Sequence, residues 1–564
     1  MISKRPQKNA MPAKEPISPI LLEVFKNRFA SIAEEMGVSL MRTGFSPNIK
    51  ERRDFSCALF DTRANMIAQA AHIPVHLGSM PLSVQRAVEA VELGPGDMAV
   101  LNNPFAGGTH LPDITLVAPV FAPDDAGGHG PLFFVANRAH HADVGGMSPG
   151  SMPLASSLYQ EGLIIPPLKL VRGGEIDAGI MGLILANVRT PEEREGDFAA
   201  QVMANVTGVR RMGRLLAKHG PDLVRDCAQA LLDYGEAAAR RAVADIPDGE
   251  YEYEDHLDDD GLGTQRIPLH LRLRIQGDNA EFDFSRSGPQ ARGGVNAVRA
   301  IAVSAVLYGL RCLMDDSVPT NSGLLRPITL TTRPGSIVDA QFPASVAAGN
   351  VETSQRMVDV VLGALAQALR RTRPELASAA SQGTMNNVTV GGTDSRNNSP
   401  EDAGAPLGKP FAYYETLAGG MGATGVSSGE SAVHSHMTNT LNTPVEALEY
   451  AYPFMVTEYS VRRDSGGKGA FSGGNGLVRE IQFLSNAEVT VLSERRKTPP
   501  PGLAGGEPGK PGKNLLCQGG QWRTLPGKFH ESVLPGDVLR IETPGGGGFG
   551  PADQDMVPKD STDE

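Results

Sequence analysis

The chain has 564 residues, which is too many for one hydrophobic core, so roughly two to four domains are expected. Its formal net charge is -12, which argues against nucleic acid or an anionic membrane as a partner because both attract basic surfaces. Four cysteines without CxxC spacing, no apolar signal segment and no long apolar run predict a cytoplasmic protein.

The first part of the chain predicts a mixed α/β domain over residues 18–246. Apolar residues recur at helical spacing from Pro19 to Thr43 and predict a long amphipathic helix. A charged turn then leads into a buried strand that ends at Phe60, so Asp54 is expected at the mouth of that strand. Further strands are predicted at 98–102, 114–121 and 132–139, and further helices at 81–91, 180–186, 191–209 and 215–244.

The second half predicts two more domains. Residues 247–470 are expected to form an α+β middle domain, since period-two alternation over 267–275 is typical of a half-buried strand and helices are predicted at 295–314 and 355–371. Residues 471–551 predict a β-rich C-terminal lobe. The polar ends, 1–17 and 552–564, predict disordered tails. The predicted fold class is therefore α+β (mixed α/β) and multi-domain, with a metal-binding α/β N-terminal part followed by β-rich lobes.

Candidate metal ligands cluster between residues 101 and 146. His110 and Asp113 lie three residues apart on a loop shaped by glycine and proline, and His140 follows a predicted strand that returns toward that loop. Imidazole nitrogens and carboxylate oxygens together are typical ligands of a divalent transition metal. The structural alternative is that His110 caps a turn and Asp113 accepts hydrogen bonds from backbone amides.

The sequence does not decide the roles of two further residues of this stretch. His141 is adjacent to His140, and a persisting strand would point the two imidazoles to opposite faces, so only one can readily bind the metal and periodicity does not decide which. Asp143 is either a ligand or the acceptor that fixes the tautomer of an imidazole. Outside the stretch, His434 and His436 predict either a second metal or substrate contact or a hydrogen-bonded core pair, and the loop histidines His72 and His76 are similarly ambiguous.

Ordered motifs along nearly the whole chain resemble the B subunit, or B-type half, of the hydantoinase/oxoprolinase family, whose relatives include acetone and acetophenone carboxylase subunits. The matching segments are Glu51-Arg-Arg-Asp-Phe-Ser56, His72-Ile-Pro-Val-His-Leu-Gly-Ser-Met80, the run from Asn103 to Asp113, Ala139-His-His-Ala-Asp-Val-Gly-Gly146, Gly349-Asn-Val-Glu-Thr-Ser-Gln355, Ser381 to Asn387, Tyr414-Glu-Thr, His436 to Pro444 and Pro544 to Gly550.

The resemblance implies ATP-dependent opening of a cyclic amide, such as a hydantoin or 5-oxoproline, by two polypeptides. An A-type ATPase partner would hold ATP and magnesium, and the B-type chain a transition metal, zinc or manganese. The ligands it implies are Asp54, His110, Asp113 and His140. The resemblance thus adds Asp54 to the candidate ligands and favours His140 over His141. His141 and Asp143 then become the candidates for proton transfer in catalysis.

Two other functions remain open at this stage. The same metal site would serve a subunit of an ATP-dependent ketone carboxylase, where it would stabilise an enolate. Alternatively, the chain would be a non-catalytic scaffold for the ATPase subunit.

Overall fold

The computed structural model of the protein describes residues 17–70, 73–122, 130–396 and 408–552. The two predicted disordered tails lie outside these ranges except for residues 17 and 552, and His72 also lies outside them. Helices and strands alternate along the described chain and the strands form several separate sheets. The predicted mixed α/β, multi-domain class is confirmed.

The helices of the described ranges include the predicted long helix at the expected bounds, with the Ser18 hydroxyl accepting from the Leu21 amide at its start. In chain order they are α1 (Pro19–Thr43), α2 (Pro47–Lys50), α3 (Ser79–Ala90), α4 (Ala178–Leu185), α5 (Pro191–His219), α6 (Pro221–Ala244), α7 (Arg299–Arg311), α8 (Ser354–Leu369) and α9 (Val445–Ala451).

The strands fall into an N-terminal, a middle and a C-terminal group. In chain order they are β1 (Phe55–Phe60), β2 (Met66–Gln69), β3 (Met98–Leu101), β4 (Asp113–Val120), β5 (Phe133–His140), β6 (Leu168–Arg172), β7 (Glu175–Ile176), β8 (Gly249–Asp259), β9 (Gln265–Gln276), β10 (Asn279–Asp283), β11 (Ile328–Thr331), β12 (Asn387–Asp394), β13 (Lys409–Glu415), β14 (Phe454–Arg462), β15 (Gly476–Phe483), β16 (Ala487–Leu492), β17 (Lys513–Gln518), β18 (Gln521–Leu525), β19 (Lys528–Val533) and β20 (Val538–Glu542).

The N-terminal strands form one antiparallel sheet in the order β2-β1-β5-β4-β3-β6-β7. One face carries α1 and α5, whose Phe25, Phe29 and Phe198 belong to the largest hydrophobic cluster, and the other face carries α3 through Met80 and Val84. Every residue of β4 and β5 is therefore buried. Polar side chains at the ends of these central strands are consequently removed from bulk water.

Two local predictions differ from the structure. The helices predicted over 191–209 and 215–244 have a different boundary: α5 continues to His219 and α6 begins at Pro221, with Gly220 between them at a φ of +79°, which favours glycine. The sequence predicts no strand in the acidic segment that follows Ile246, yet this segment forms β8, which pairs with β9 along its length. Its buried carboxylates are paired, as in the 2.6 Å contact of Asp255 with Arg495, while the side chains of Glu250, Glu252 and Glu254 on the same strand are exposed.

The middle and C-terminal strands form three further sheets, ordered β11-β10-β9-β8, β13-β12-β16-β19 and β14-β15-β20-β17-β18. Helix α8 packs against α7, β8 and β9. The largest hydrophobic cluster extends from Phe25 to Leu492 and so crosses the predicted boundary at residue 246. The domain boundaries themselves stay predictions.

Glycine-rich loops of the C-terminal third pack backbone against backbone. A Cβ atom on Gly474 would lie 1.8 Å from the Glu430 carbonyl oxygen, and one on Gly546 would lie 2.0 Å from that of Met421. The Gly546 amide donates to the Gly474 carbonyl at 2.9 Å. Only glycine allows so close an approach. Residues 420–425 match the pattern G-x-G-x-x-G, and a Cβ on Gly420 would lie 2.1 Å from the Gly474 carbonyl oxygen. The pattern therefore reflects this packing rather than a nucleotide-binding turn.

Candidate metal centre

Three segments bring polar side chains to one end of the N-terminal sheet. Asp113 is the first residue of β4 and His140 the last of β5, and the two are direct partners in the antiparallel register. Strand β1 lies on the other side of β5, with Phe55 opposite Ala139. Asp54 therefore lies beside the end of β5, and the His140 amide donates to its backbone carbonyl at 3.0 Å.

Asp113 is the centre of the cluster. Its Oδ2 lies 3.3 Å from His76 Nε2 and 3.4 Å from His110 Nε2, and the Thr109 hydroxyl donates to the same oxygen. The His110 and His140 ring centroids are 4.9 Å apart. The structure thus brings His76 next to His110, Asp113 and His140, while the ligand roles that the family resemblance implies for Asp54, His110, Asp113 and His140 stay predictions.

The cluster borders a small buried cavity. Asp54, His76, Asp113 and His140 line it, and its volume is about 20 Å³, enough for one water-sized group. The four side chains are nearly inaccessible, Asp54 being the most exposed at 6%. Any group held here is therefore screened from bulk solvent.

Neighbouring side chains fix the orientation of the His140 and His76 imidazoles. Asn48 Nδ2 lies 3.3 Å from His140 Nδ1 and donates to the His140 carbonyl, and the Tyr414 ring stacks on His140 with centroids 4.3 Å apart. Ser56 Oγ lies 2.8 Å from His76 Nδ1. The Ser56 hydroxyl can accept from His76 Nδ1, which leaves a lone pair on His76 Nε2. Asn48 Nδ2 is a donor, so a neutral His140 accepts at Nδ1 and carries its proton on Nε2. That proton would have to leave before His140 Nε2 binds a metal ion.

Burial and mutual charge set the protonation of the cluster. Burial raises the pKa of Asp113, but His110 and His76 outweigh it and hold that pKa well below its usual range. Burial lowers the pKa of His140, and His110 lowers it further. Burial also raises the pKa of Asp54, against the opposing effect of Arg52, which lies 3.7 Å away. An ionised Asp113 and a neutral His140 are the forms that bind a metal ion.

Unpartnered atoms make this cluster fit a bound cation. Both ring nitrogens of His110, His140 Nε2 and Asp113 Oδ1 are buried without a hydrogen-bond partner, and buried polar groups normally have one. In the part of the chain that the structure describes, no three His, Cys, Asp or Glu side chains are already spaced as a complete metal site. The imidazoles of His76 and His110 contact the Asp113 carboxylate instead. A bound ion would have to replace those contacts.

The candidates for proton transfer have other partners. His141 points toward α5, with Nε2 2.9 Å from Gln201 Oε1, while Arg189 Nη1 donates to Asp143 Oδ1 at 2.9 Å. Within the described residues neither side chain has a hydrogen bond or ion pair with the Asp113 cluster. Their catalytic role stays a prediction, and no contact described here supports it.

In the described residues the second histidine pair has no hydrogen bond or ion pair with the cluster, although Thr438, which contacts His434, lines the same cavity. Both ring nitrogens of His434 are engaged, with Asn442 at 3.1 Å and Thr438 at 3.0 Å, which fits the core alternative. His436 Nδ1 lies 3.3 Å from the Tyr308 hydroxyl.

His76 is one of the residues whose role the sequence leaves undecided. It ends a short 3-10 turn, Pro74–His76, and reaches Asp113 across 37 positions of sequence. Its position in the family-like segment His72 to Met80 was the available signal, but periodicity gives none for a residue in a turn.

Comparison with known proteins relates the whole chain to one family. The family model of hydantoinase B/oxoprolinase matches residues 18–552. The 5-oxoprolinase of Dictyostelium discoideum is 40% identical over 548 residues, which cover 95% of this chain and 41% of that protein. The chain therefore spans about two fifths of the length of that relative.

Two solved structures share the fold. The ATP-dependent caprolactamase from Pseudomonas jessenii superposes with a TM-score of 0.84 at 28% identity, covering 95% of this chain and 92% of that one. Acetone carboxylase in its nucleotide-free form gives a TM-score of 0.86 at 16% identity, with 96% and 76% covered, a likeness that concerns the fold alone.

No helix in the described ranges is long and apolar enough to cross a membrane, and the cytoplasmic location stays a prediction. The extent of the family match and the order of its motifs leave one assignment: the chain belongs to the hydantoinase B/oxoprolinase family.

Proposed function

We propose that this chain is the B-type subunit of an ATP-dependent hydrolase that opens cyclic amides of the lactam, hydantoin or 5-oxoproline type. A separate A-type ATPase subunit would hold ATP and magnesium. The observation that carries the proposal is the set of buried, unpartnered nitrogen and oxygen atoms on His110, Asp113 and His140. Relatives named 5-oxoprolinase and caprolactamase support the substrate class.

Asp54, His110, Asp113 and His140 would hold a divalent transition metal, zinc or manganese, and His76 is a further candidate ligand. A mixed imidazole and carboxylate set suits either ion. When bound, such an ion polarises a carbonyl group or makes water more acidic.

The residues around the cluster have defined tasks in this scheme. Asn48 and Tyr414 hold the His140 ring in one orientation, and Arg52 offsets the charge of Asp54 at 3.7 Å. Burial keeps bulk water away, which strengthens each electrostatic contact with a reacting group. These residues bind and orient, while the energy for the reaction comes from ATP on the partner.

The division of the reaction between an ATPase subunit and this chain follows from amide chemistry. Resonance in an amide gives a rotation barrier of about 18–20 kcal/mol, and a lactam carbonyl is correspondingly resistant to water. Phosphorylation of the amide oxygen would remove that resonance. Ring opening of the phosphorylated amide then takes up two waters. The first adds to the amide carbon, and the carbon–nitrogen bond breaks to give an amino group and an acyl phosphate. The second hydrolyses the acyl phosphate to a carboxylate and inorganic phosphate.

The test is ATP turnover by the chain reconstituted with its ATPase partner, measured against a panel of cyclic amides with and without bicarbonate. We expect turnover that requires a lactam and is indifferent to bicarbonate. Turnover that requires a ketone and bicarbonate would instead make the chain a carboxylase subunit.

A second experiment separates a catalytic subunit from a scaffold. His110→Ala should lose bound metal and turnover while still assembling with the partner, and His434→Ala is the matched control because its imidazole is engaged outside the cluster. Full activity of His110→Ala would identify the chain as a scaffold.

A further inference from the structure

A distorted helical turn delivers one polar side chain to the cavity of the candidate metal centre. Residues Gly349–Thr353 form a π-type turn that leads into α8. Such turns are uncommon and occur often at functional sites. A Cβ on Gly349 would lie 1.7 Å from the Asn296 carbonyl oxygen, so the turn is pressed against the preceding segment and its position is fixed.

The side chain in question is that of Asn350. It is 4% exposed, it lines the same cavity as Asp54, Asp113 and His140, and its Oδ1 has no hydrogen-bond partner. A buried amide oxygen without a partner is unusual in a folded protein. It therefore indicates a ligand that the cavity normally holds.

The threonine hydroxyl groups that line the same cavity already have hydrogen-bond partners. Thr416 Oγ1 accepts from Arg52 at 2.9 Å and lies 3.0 Å from Thr440 Oγ1, while Thr438 Oγ1 lies 3.0 Å from His434 Nδ1. Among these described polar groups, the acceptor left over outside the cluster is Asn350 Oδ1.

The size and lining of the cavity identify the ligand. A volume of about 20 Å³ holds one water and is too small for an organic ring. Ile73, Val75, Val351, Met385 and Met437 form its apolar part. A single water would thus be confined in a cavity whose lining includes the carboxylates, the imidazoles and Asn350.

We propose that Asn350 positions the water that opens the ring, an inference that rests on the proposed function. Asn350 Oδ1 accepts one O–H of the water, which aims an oxygen lone pair at the amide carbon. The water oxygen bonds to the carbon of the phosphorylated amide, the proton lost by the water goes to the ring nitrogen, and the carbon–nitrogen bond breaks. The acyl phosphate that remains is hydrolysed by a second water to a carboxylate and inorganic phosphate. No group is oxidised or reduced.

The main test compares the reconstituted enzyme with Asn350→Leu, which removes both polar atoms at similar volume. We expect kcat for lactam opening to fall about 100-fold, the usual effect of misplacing a reacting group, with KM for the lactam and the bound metal content unchanged. In Asn350→Gly, added formamide should restore part of kcat by occupying the vacated space. A kcat near that of the wild type would overturn the proposal, as would a rise in KM alone.

The matched control is Asn205→Leu. Asn205 is also fully buried, and its Oδ1 accepts from Asn137 at 2.9 Å, away from the cavity. This variant reports the general effect of losing a buried asparagine, so an equal loss of kcat there would also overturn the assignment.

A crystal structure supplies a readout that does not depend on turnover. The wild type should show a water within about 2.7–3.2 Å of Asn350 Oδ1, and the leucine variant should lack it. Absence of that water in the wild type contradicts the inference alone, whereas a wild-type enzyme that opens no lactam contradicts the proposed function itself.

Discussion

Replacing His110 with leucine should affect stability differently with and without metal. The His110 ring is fully buried and neither nitrogen has a hydrogen-bond partner, and each unsatisfied buried group costs about 1–3 kcal/mol. Leucine fills a similar volume without that cost. The lost 3.4 Å contact with Asp113 opposes the gain, but Thr109 and His76 still contact that carboxylate. We therefore expect the metal-free variant to be more stable than the metal-free wild type by about 1 kcal/mol.

Added metal should make the wild type the more stable of the two proteins. An ion present at 100 times its dissociation constant stabilises the folded state by about 2.7 kcal/mol, and the variant should lose most of that gain. The assay is thermal unfolding of chelator-treated protein, repeated after addition of zinc or manganese. The wild type should show the larger rise in Tm on metal addition and the variant the higher Tm without metal.

His434→Leu is the control, because it is the same exchange at a buried imidazole with both nitrogens engaged. It should lower Tm in both conditions and leave the metal-induced rise intact. The reasoning is refuted if His110→Leu behaves as this control does, since His110 would then be a structural residue.

Three further predictions concern the surroundings of the site. Ser56→Ala should weaken metal binding about 10–100-fold if His76 is a ligand, measured by competition with a chelator, and an unchanged affinity would remove His76 from the ligand set. Burial raises the pKa of Glu161 from 4.5 to about 7, so the folded state binds the extra proton and stability should fall as pH rises from about 4.5 to about 7. Glu161→Gln should flatten that part of the pH profile of Tm, and an unaltered profile would show that another group causes the fall. Arg495→Met should destabilise the fold by about 3–5 kcal/mol by leaving buried carboxylates such as Asp359, 2.7 Å away, without this partner. Denaturant unfolding measures this change, and a loss below about 1 kcal/mol would mean that the carboxylates find other partners.

Short-range patterns were sufficient to predict much of the N-terminal sheet. The strand over 132–139 and the Gly- and Pro-shaped loop before Asp113 implied that the two ends of the hairpin meet, and Asp113 and His140 are register partners. Alternation along a strand could not choose between His140 and His141. That choice depends on what packs on each face, with Tyr414 on one side and Gln201 on the other.

Long-range contacts account for the residues that sequence patterns did not identify. His76 is placed by a 3-10 turn and Asn350 by a π-type turn, and neither geometry leaves a periodic signal. The strand character of 249–259 was hidden by its charges, because an acidic run resembles a solvated loop unless its partners are known. Asp255 has two such partners, Arg356 and Arg495, both distant in sequence.

The candidate site depends on more of the chain than the segment that supplies its proposed ligands. Asp54, Asp113 and His140 all fall in residues 18–246, yet the cavity they line is completed by Asn350 and Tyr414. The largest hydrophobic cluster likewise joins α1 to α8 and β16. A fragment ending near residue 246 would keep the four proposed ligands but lose the ring stacked on His140 and the wall that confines the water. The packing between these parts, rather than the ligand residues alone, would therefore determine whether Asn350 and the proposed ligands face the same cavity.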